Sequence, residues 1–167
     1  MVRDVSFFEP IENKIELVLV RVLEFNRVDV VRPWLIPDKL ANPGTLPTGI
    51  CRGIAFSPNG EFMAVAHVTT PFVTIYQRNG ATFTKLANPA DLPAGNGRGI
   101  AFSPNGEFMA VAHNTTPFVT IYQISGTTFT KLADPADLPA GNSFGVAFSP
   151  NGEFMAVAHN TTPFVTI

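Results

Sequence analysis

The sequence predicts an all-β fold made of β-propeller blades, and three observations lead there. A unit recurs at constant pitch: RGIAFSPNGEFMAVAH begins at Arg52 and again at Arg98, and the variant FGVAFSPNGEFMAVAH begins at Phe144, 46 residues further on each time. Such self-similarity marks a repeat architecture, in which each copy is a supersecondary unit that must stack on its neighbours. Within a copy, four short β-prone runs are separated by turn signals, the pattern of one propeller blade. Composition agrees: of the 24 charged side chains, 12 fall in residues 1–38, which leaves the repeats nearly uncharged and rich in Phe, Ala, Thr, Pro, Asn and Gly. These residues suit strands and turns better than helices.

The chain divides into an N-terminal non-repeat segment, 1–38, and a repeat region, 39–167, with copies at 39–84, 85–130 and 131–167. The expected architecture is an incomplete propeller of three four-stranded repeats, the last truncated. The second copy shows the elements in order. Residues 99–103 form a first strand. Ser103-Pro104-Asn105-Gly106 is a tight turn, because proline presets φ at its second position and Asn-Gly tolerates the rest. Residues 107–113 form a second strand, in which Phe108, Ala110 and Ala112 alternate with Met109, Val111 and His113. Asn114-Thr115-Thr116-Pro117 interrupts the chain, 118–123 form a third strand, Ser125-Gly126 turns it, and 127–132 form a fourth. A connector with two prolines and a glycine, 133–142, leads on. Both faces of each strand carry apolar residues, as a sheet covered on both sides requires.

In the N-terminal segment, residues 14–31 are rich in Val and Leu and read as a strand able to supply a missing outer strand. Ile15, Val18, Val22 and Phe25 fit helical spacing almost as well. Pro33 and Trp34 are expected to pack at the junction with the repeats. The stretch 15–25 holds Glu16, Arg21 and Glu24, too short and charged a run to cross a bilayer, and no secretory signal is visible at 1–10. A formal net charge of −2 implies no strong attraction to nucleic acid or to an anionic membrane. Cys51 is the only cysteine, so no intrachain disulfide forms, and its counterparts Gly97 and Ser143 show that the position needs no thiol.

The phrase AFSPNGEFMAVAH resembles the inner two strands of WD40-type blades. The W-D pair that usually ends the third strand is replaced by Tyr76-Gln77 and Tyr122-Gln123, and the Gly-His that usually precedes the first strand is absent. The combination AVAH, TTPFVTIYQ and TFTKLA resembles more closely the propeller-like repeats of some bacteriophage tail or other virion proteins. That resemblance covers 39–167 and implies a scaffold in a virion or cell-surface assembly, without fixing its ligand.

Copies one and two differ at nine of 46 positions, and copies two and three at four of the 37 they share. Propellers close with about four to eight blades. Three blades leave two flanks open. If each exposes ~500 Å² of apolar surface, ~12 kcal/mol of burial is forgone per flank, as much as the whole stability of a domain, about 5–15 kcal/mol. The chain therefore reads as a piece of a longer reading frame. Association of copies into a ring, and closure by the N-terminal segment, are the alternatives.

Antiparallel order places the loops after strands two and four on one rim. That rim carries the long connectors together with the His-Val-Thr-Thr and His-Asn-Thr-Thr loops, while the tight turns at 57–60 and 78–80 lie on the other. Binding residues concentrate on long loops held by a rigid scaffold, so the candidate ligand contacts are His67, His113, His159, Asn114, Asn160, Arg52, Arg98, Asp91 and Asp137. Competing structural roles are clear. Each histidine closes strand two, where it would hydrogen-bond a loop carbonyl, and Arg52 and Arg98 give way to Phe144. Zinc needs three or four convergent ligands, and the histidines repeat with no adjacent cysteine or carboxylate, so no metal and no cofactor is expected. Asn114-Thr115-Thr116 and Asn160-Thr161-Thr162 match a glycosylation sequon of threonine-rich loops. Phe62, Phe108 and Phe154 read as blade packing, and Glu61, Glu107 and Glu153 as solvated. No nucleophile elbow, P-loop or dinucleotide-binding motif occurs.

The leading functional expectation is a non-enzymatic propeller scaffold with a protein or glycan partner. The alternatives are part of a propeller hydrolase or lyase whose active residues lie elsewhere, and an intracellular WD40-like interaction hub.

Overall fold

The computed structural model describes residues 39–167, so the expectations for 14–31 and for Pro33 and Trp34 lie outside the described residues. Eleven strands form three antiparallel sheets in sequence order. The first sheet holds β1 (Cys51–Phe56), β2 (Phe62–His67), β3 (Val73–Asn79) and β4 (Thr82–Lys85). The second holds β5 (Gly97–Phe102), β6 (Phe108–His113), β7 (Val119–Ser125) and β8 (Thr128–Lys131). The third holds β9 (Ser143–Phe148), β10 (Met155–His159) and the short β11 (Val165–Thr166). The sheets stack side by side, and the first strands β1, β5 and β9 run against one another.

Two turns define each sheet. Between β1 and β2, Ser57 N–H donates to the Phe62 carbonyl and Gly60 N–H to the Ser57 carbonyl. Ser57 Oγ donates to Asn59 Oδ1 at 2.7 Å, and Glu61 N–H donates to the same oxygen at 3.0 Å. The chain leaves this turn through a left-handed residue (Gly60 φ 67°, Gly106 φ 76°, Gly152 φ 75°), which is why glycine ends the motif. Between β2 and β3, Phe72 N–H donates to the Thr69 carbonyl across a cis Thr70-Pro71 bond, a type VI turn that recurs at Thr116-Pro117 and Thr162-Pro163.

Phe118 does not begin the third strand of its copy. It closes the turn at φ 68°, in left-handed space that no strand residue occupies, and β7 starts at Val119. At its far end β7 runs on to Ser125, and β5 begins at Gly97 instead of residue 99.

Each sheet has two working faces. In the second sheet one face carries Ile100, Phe102, Met109, Val111, Tyr122 and Phe129. It packs against Ala55, Phe62, Ala64, Ala66, Val73 and Ile75 of the first sheet, with Phe62 and Phe129 edge to face at 5.4 Å. The opposite face of the second sheet, with Ala110, Val119 and Ile121, meets Val146, Phe148, Met155 and Val157 of the third. Both interfaces thus join the same two surfaces, here termed the Ile/Met face and the Phe/Ala face.

Glycine sets the spacing of the inner strands. A Cβ placed on Gly53 would lie 2.8 Å from the Arg98 carbonyl oxygen, and one on Gly99 would lie 2.7 Å from Gly145 Cα and 2.8 Å from the Phe144 carbonyl oxygen. These neighbours are backbone and cannot swing aside. Gly99→Ala is therefore expected to lower stability by about 2 kcal/mol or more, as overpacking does. Gly44→Ala, where an added Cβ meets nothing within 4 Å, should stay within about 0.5 kcal/mol of the parent in urea titrations.

Candidate functional site

The connectors and the β2–β3 loops share one rim and are tied together there. Val68 N–H donates to the Ile50 carbonyl and Asn160 N–H to the Asn142 carbonyl, each at 3.1 Å. Thr48 Oγ1 donates to the Thr70 carbonyl at 3.0 Å. Asn114 Oδ1 accepts from Asn96 N–H at 2.8 Å. Tyr122 hooks the middle of its connector, donating its hydroxyl to the Asp91 backbone carbonyl at 2.9 Å, as Tyr76 does to Thr45 at the same distance. Burial pushes both phenols above their usual pKa, and the nearby Asp91 charge adds to this at Tyr122. On the opposite rim, Arg78 Nε donates to the Gly60 carbonyl at 2.6 Å and so joins the two tight turns.

The three histidines occupy the interior. His67, His113 and His159 are buried, and their Nε2 atoms lie 2.9, 2.9 and 3.1 Å from the hydroxyls of Thr74, Thr120 and Thr166. Beside the loop backbone expected from the sequence, at Thr69 for His67 and Thr115 for His113, each ring meets a threonine on the adjacent third strand. The reason is register: β2 and β3 pair antiparallel, and the histidine and threonine lie seven residues apart across the type VI turn. Each Nδ1 finds no hydrogen-bond partner of good geometry. Burial lowers the His113 pKa from 6.5 to about 4, and the adjacent backbone of Thr115 and Val119 offsets only part of that. Burial also lowers His67. A histidine hidden behind the sheet surface cannot meet a ligand on the rim.

Arg52, Arg98 and Phe144 are placed differently. In each sheet the first-strand pairing skips one residue. Cys51 pairs with His67 and Gly53 with Ala66, Gly97 with His113 and Gly99 with Ala112, Ser143 with His159 and Gly145 with Ala158. The skipped residues are Arg52, Arg98 and Phe144. A bulge re-aims its extra side chain, and here it does so three times on adjacent inner strands, at the connector end. Arg98 lies over the Phe144 ring, 4.5 Å from the centroid, with its Nε buried and unpartnered. Arg52 is exposed. Sequence reading selected the two arginines but not Phe144, which looked like a loss of function at the repeated position.

The remaining candidates are scattered. The side chains of Asp91 and Asp137 are exposed on the connectors, and Asn160 is exposed, with Thr161 Oγ1 donating to its Oδ1 at 3.4 Å. Among the described residues no group of three His, Cys, Asp or Glu side chains is placed to hold a metal ion.

No protein-family model matches the chain, and no curated protein matches it. Solved structures do. A "putative 6-phosphogluconolactonase" from Bacteroides fragilis aligns with a TM-score of 0.59 at 18% identity over 69% of this chain and 33% of its own. A protein so described from Bacteroides uniformis aligns with a TM-score of 0.54 at 17% identity over 67% and 34%. A protein from Lactobacillus plantarum aligns with a TM-score of 0.52 at 18% identity over 67% and 35%. The chain thus spans about a third of the length of each, and the likeness is one of fold: the three sheets are β-propeller blades.

Buried His113 makes stability depend on pH. His113 stays neutral in the fold down to about 4 but takes up a proton near 6.5 when unfolded. Unfolding therefore gains protons between these values. Stability should be full above about pH 6.5 and fall as pH drops toward 4, by on the order of 2–3 kcal/mol for this group. Urea titrations of the parent and of His113→Gln from pH 7.5 to 4.5 check this. The variant should be less stable at neutral pH, with a shallower slope in that window.

Proposed function

We propose that this chain is a non-enzymatic β-propeller scaffold that binds a protein or glycan partner on its connector rim, in an assembly of the virion or cell-surface type. The observation that carries the reading is the repeated bulge, which sets Arg52, Arg98 and Phe144 at the connector end of three neighbouring first strands. Guanidinium groups and an aromatic ring in a row suit carboxylate- or sulfate-bearing glycans and acidic peptide segments, through charge-assisted hydrogen bonds and stacking. The repeated histidines are taken up internally by threonines, and Tyr76 and Tyr122 by connector carbonyls. Such groups hold a scaffold together and are poorly placed to move protons for a substrate. The virion setting draws on the repeat resemblance.

A propeller hydrolase is the competing reading, and the names given to two of the structural neighbours favour it. At 17–18% identity they speak for fold alone. An assay with 6-phosphogluconolactone, run beside an array of neutral and anionic glycans, separates the two. The expected result is lactone loss at the buffer rate and anionic-glycan binding that disappears in Arg52→Ala and Arg98→Ala. Saturable lactone turnover by the purified chain would overturn the scaffold reading.

A further inference from the structure

We propose that Asn79-Gly80, at the turn between β3 and β4, is a self-modification site, where the Asn79 side chain cyclises onto the Gly80 backbone nitrogen and hydrolyses to aspartate and isoaspartate. Asparagine is a thermolabile residue, and a following glycine, with no Cβ, leaves its own nitrogen open to the asparagine side chain. The sequence holds five such steps, at Asn59-Gly60, Asn79-Gly80, Asn96-Gly97, Asn105-Gly106 and Asn151-Gly152. The fold holds all of them but Asn79-Gly80.

Three lie in the Ser-Pro-Asn-Gly turns. Their asparagines are exposed, so exposure alone does not protect them. Bonding does. Asn59 Oδ1 accepts from Ser57 Oγ at 2.7 Å and from Glu61 N–H at 3.0 Å, and Asn59 Nδ2 donates to Glu61 Oε2 at 3.3 Å. Gly60 N–H, which carries the attacking nitrogen, donates to the Ser57 carbonyl at 2.8 Å. Asn105 repeats the three side-chain bonds at 2.6, 3.1 and 2.8 Å, and Asn151 at 2.6, 3.3 and 2.6 Å. Gly106 and Gly152 N–H each donate at 2.9 Å. Asn96-Gly97 is held by packing. Asn96 N–H donates to Asn114 Oδ1 at 2.8 Å, and Gly97 is buried at the start of β5, where an added Cβ would collide with the Phe72 carbonyl oxygen.

Asn79 ends β3, and Gly80 opens the turn into β4 at φ 59°. Both residues are exposed. Among the described residues, the Asn79 backbone pairs with Thr82 and the Gly80 carbonyl accepts from Arg78 Nη1 at 3.3 Å, but nothing engages the Asn79 side-chain amide or the Gly80 N–H. This exposure belongs to the turn itself. The equivalent Ser125-Gly126, in the sheet covered on both faces, is exposed too, with Gly126 at φ 56°. Serine has no amide to lose, so of these two hairpins only the first carries the site.

The step needs only the chain and water. The Gly80 nitrogen gives up its proton to solvent and bonds to Asn79 Cγ. The Cγ–Nδ2 bond breaks, and the nitrogen leaves as ammonia with a proton from solvent. Water then opens the cyclic imide at either carbonyl, giving aspartate or isoaspartate. Either product adds a negative charge next to Arg78, and isoaspartate lengthens the backbone of the turn by one carbon.

Peptide mapping by mass spectrometry tests this on the purified 167-residue chain, incubated in mildly alkaline buffer with and without urea, with isoaspartate-specific methylation marking the product. In the folded chain the peptide with Asn79 should replace –NH2 by –OH and take the methyl label. It should do so about tenfold or more faster than the peptides with Asn59, Asn96, Asn105 and Asn151, whose native bonds must open first. In urea the five rates should converge, which assigns the difference to the fold. Asn79→Ser, the residue of the equivalent hairpin, should abolish the fast conversion and keep the parent circular dichroism spectrum. An Asn79 that stays intact in the folded chain while the urea-treated chain converts overturns the proposal. So does conversion of all five sites alike in the folded chain, or a faster rate at any of the other four.

Discussion

Close approach of the inner strands governs this molecule. Gly53 and Gly99 let neighbouring sheets meet backbone to backbone, at distances where any side chain would collide. Once the strands are that close, the flanking residues interlock: Ile100, Met109 and Val111 of one sheet fill the space beside Phe62, Ala64 and Ile75 of the next. Small alanines alternate with large residues on the Phe/Ala face, which leaves room for the methionine and isoleucine opposite. A four-stranded sheet alone is a thin layer with two apolar faces, and it gains most of its burial from neighbours.

Polar groups inside the blades act as pins for that packing. Each buried histidine ties the end of its second strand to a threonine on the third, and each phenol ties the third strand to the connector that enters its own sheet. A one-residue slip between those strands would leave histidine and threonine on opposite faces, unsatisfied in an apolar layer. Such a loss costs about 1–3 kcal/mol per group, so the pins specify register as well as adding stability. Burial favours the neutral form of the His67 and His113 rings, because the nearby backbone replaces only part of the hydration a charged ring would lose.

Much of the fold was legible because repetition shows what is invariant. The 46-residue pitch, the Ser-Pro-Asn-Gly turn and the alternation in 107–113 led directly to four-stranded blades. Phe118 was misplaced because a bulky residue with positive φ is rare and its side chain looks like a strand residue; the fold forces it into the turn. The rim was legible from antiparallel order. The site itself was only half legible. A bulge is a pairing event between Gly97, Gly99 and their partners on β6, and nothing in the local sequence records a partner. Arg98 and Phe144 therefore read as a broken repeat until adjacent sheets brought them 4.5 Å apart.

The central claim is that a sheet here is held chiefly by what covers its two faces, and amide hydrogen exchange addresses it most directly. At a concentration low enough for chains to be single, the account predicts slowest exchange in β6 and β7 of the doubly covered second sheet. The corresponding strands β2 and β3 of the first sheet and β10 of the third should exchange measurably faster, despite nearly identical sequences and hydrogen bonds. Equal protection of all three sheets under that condition would contradict it.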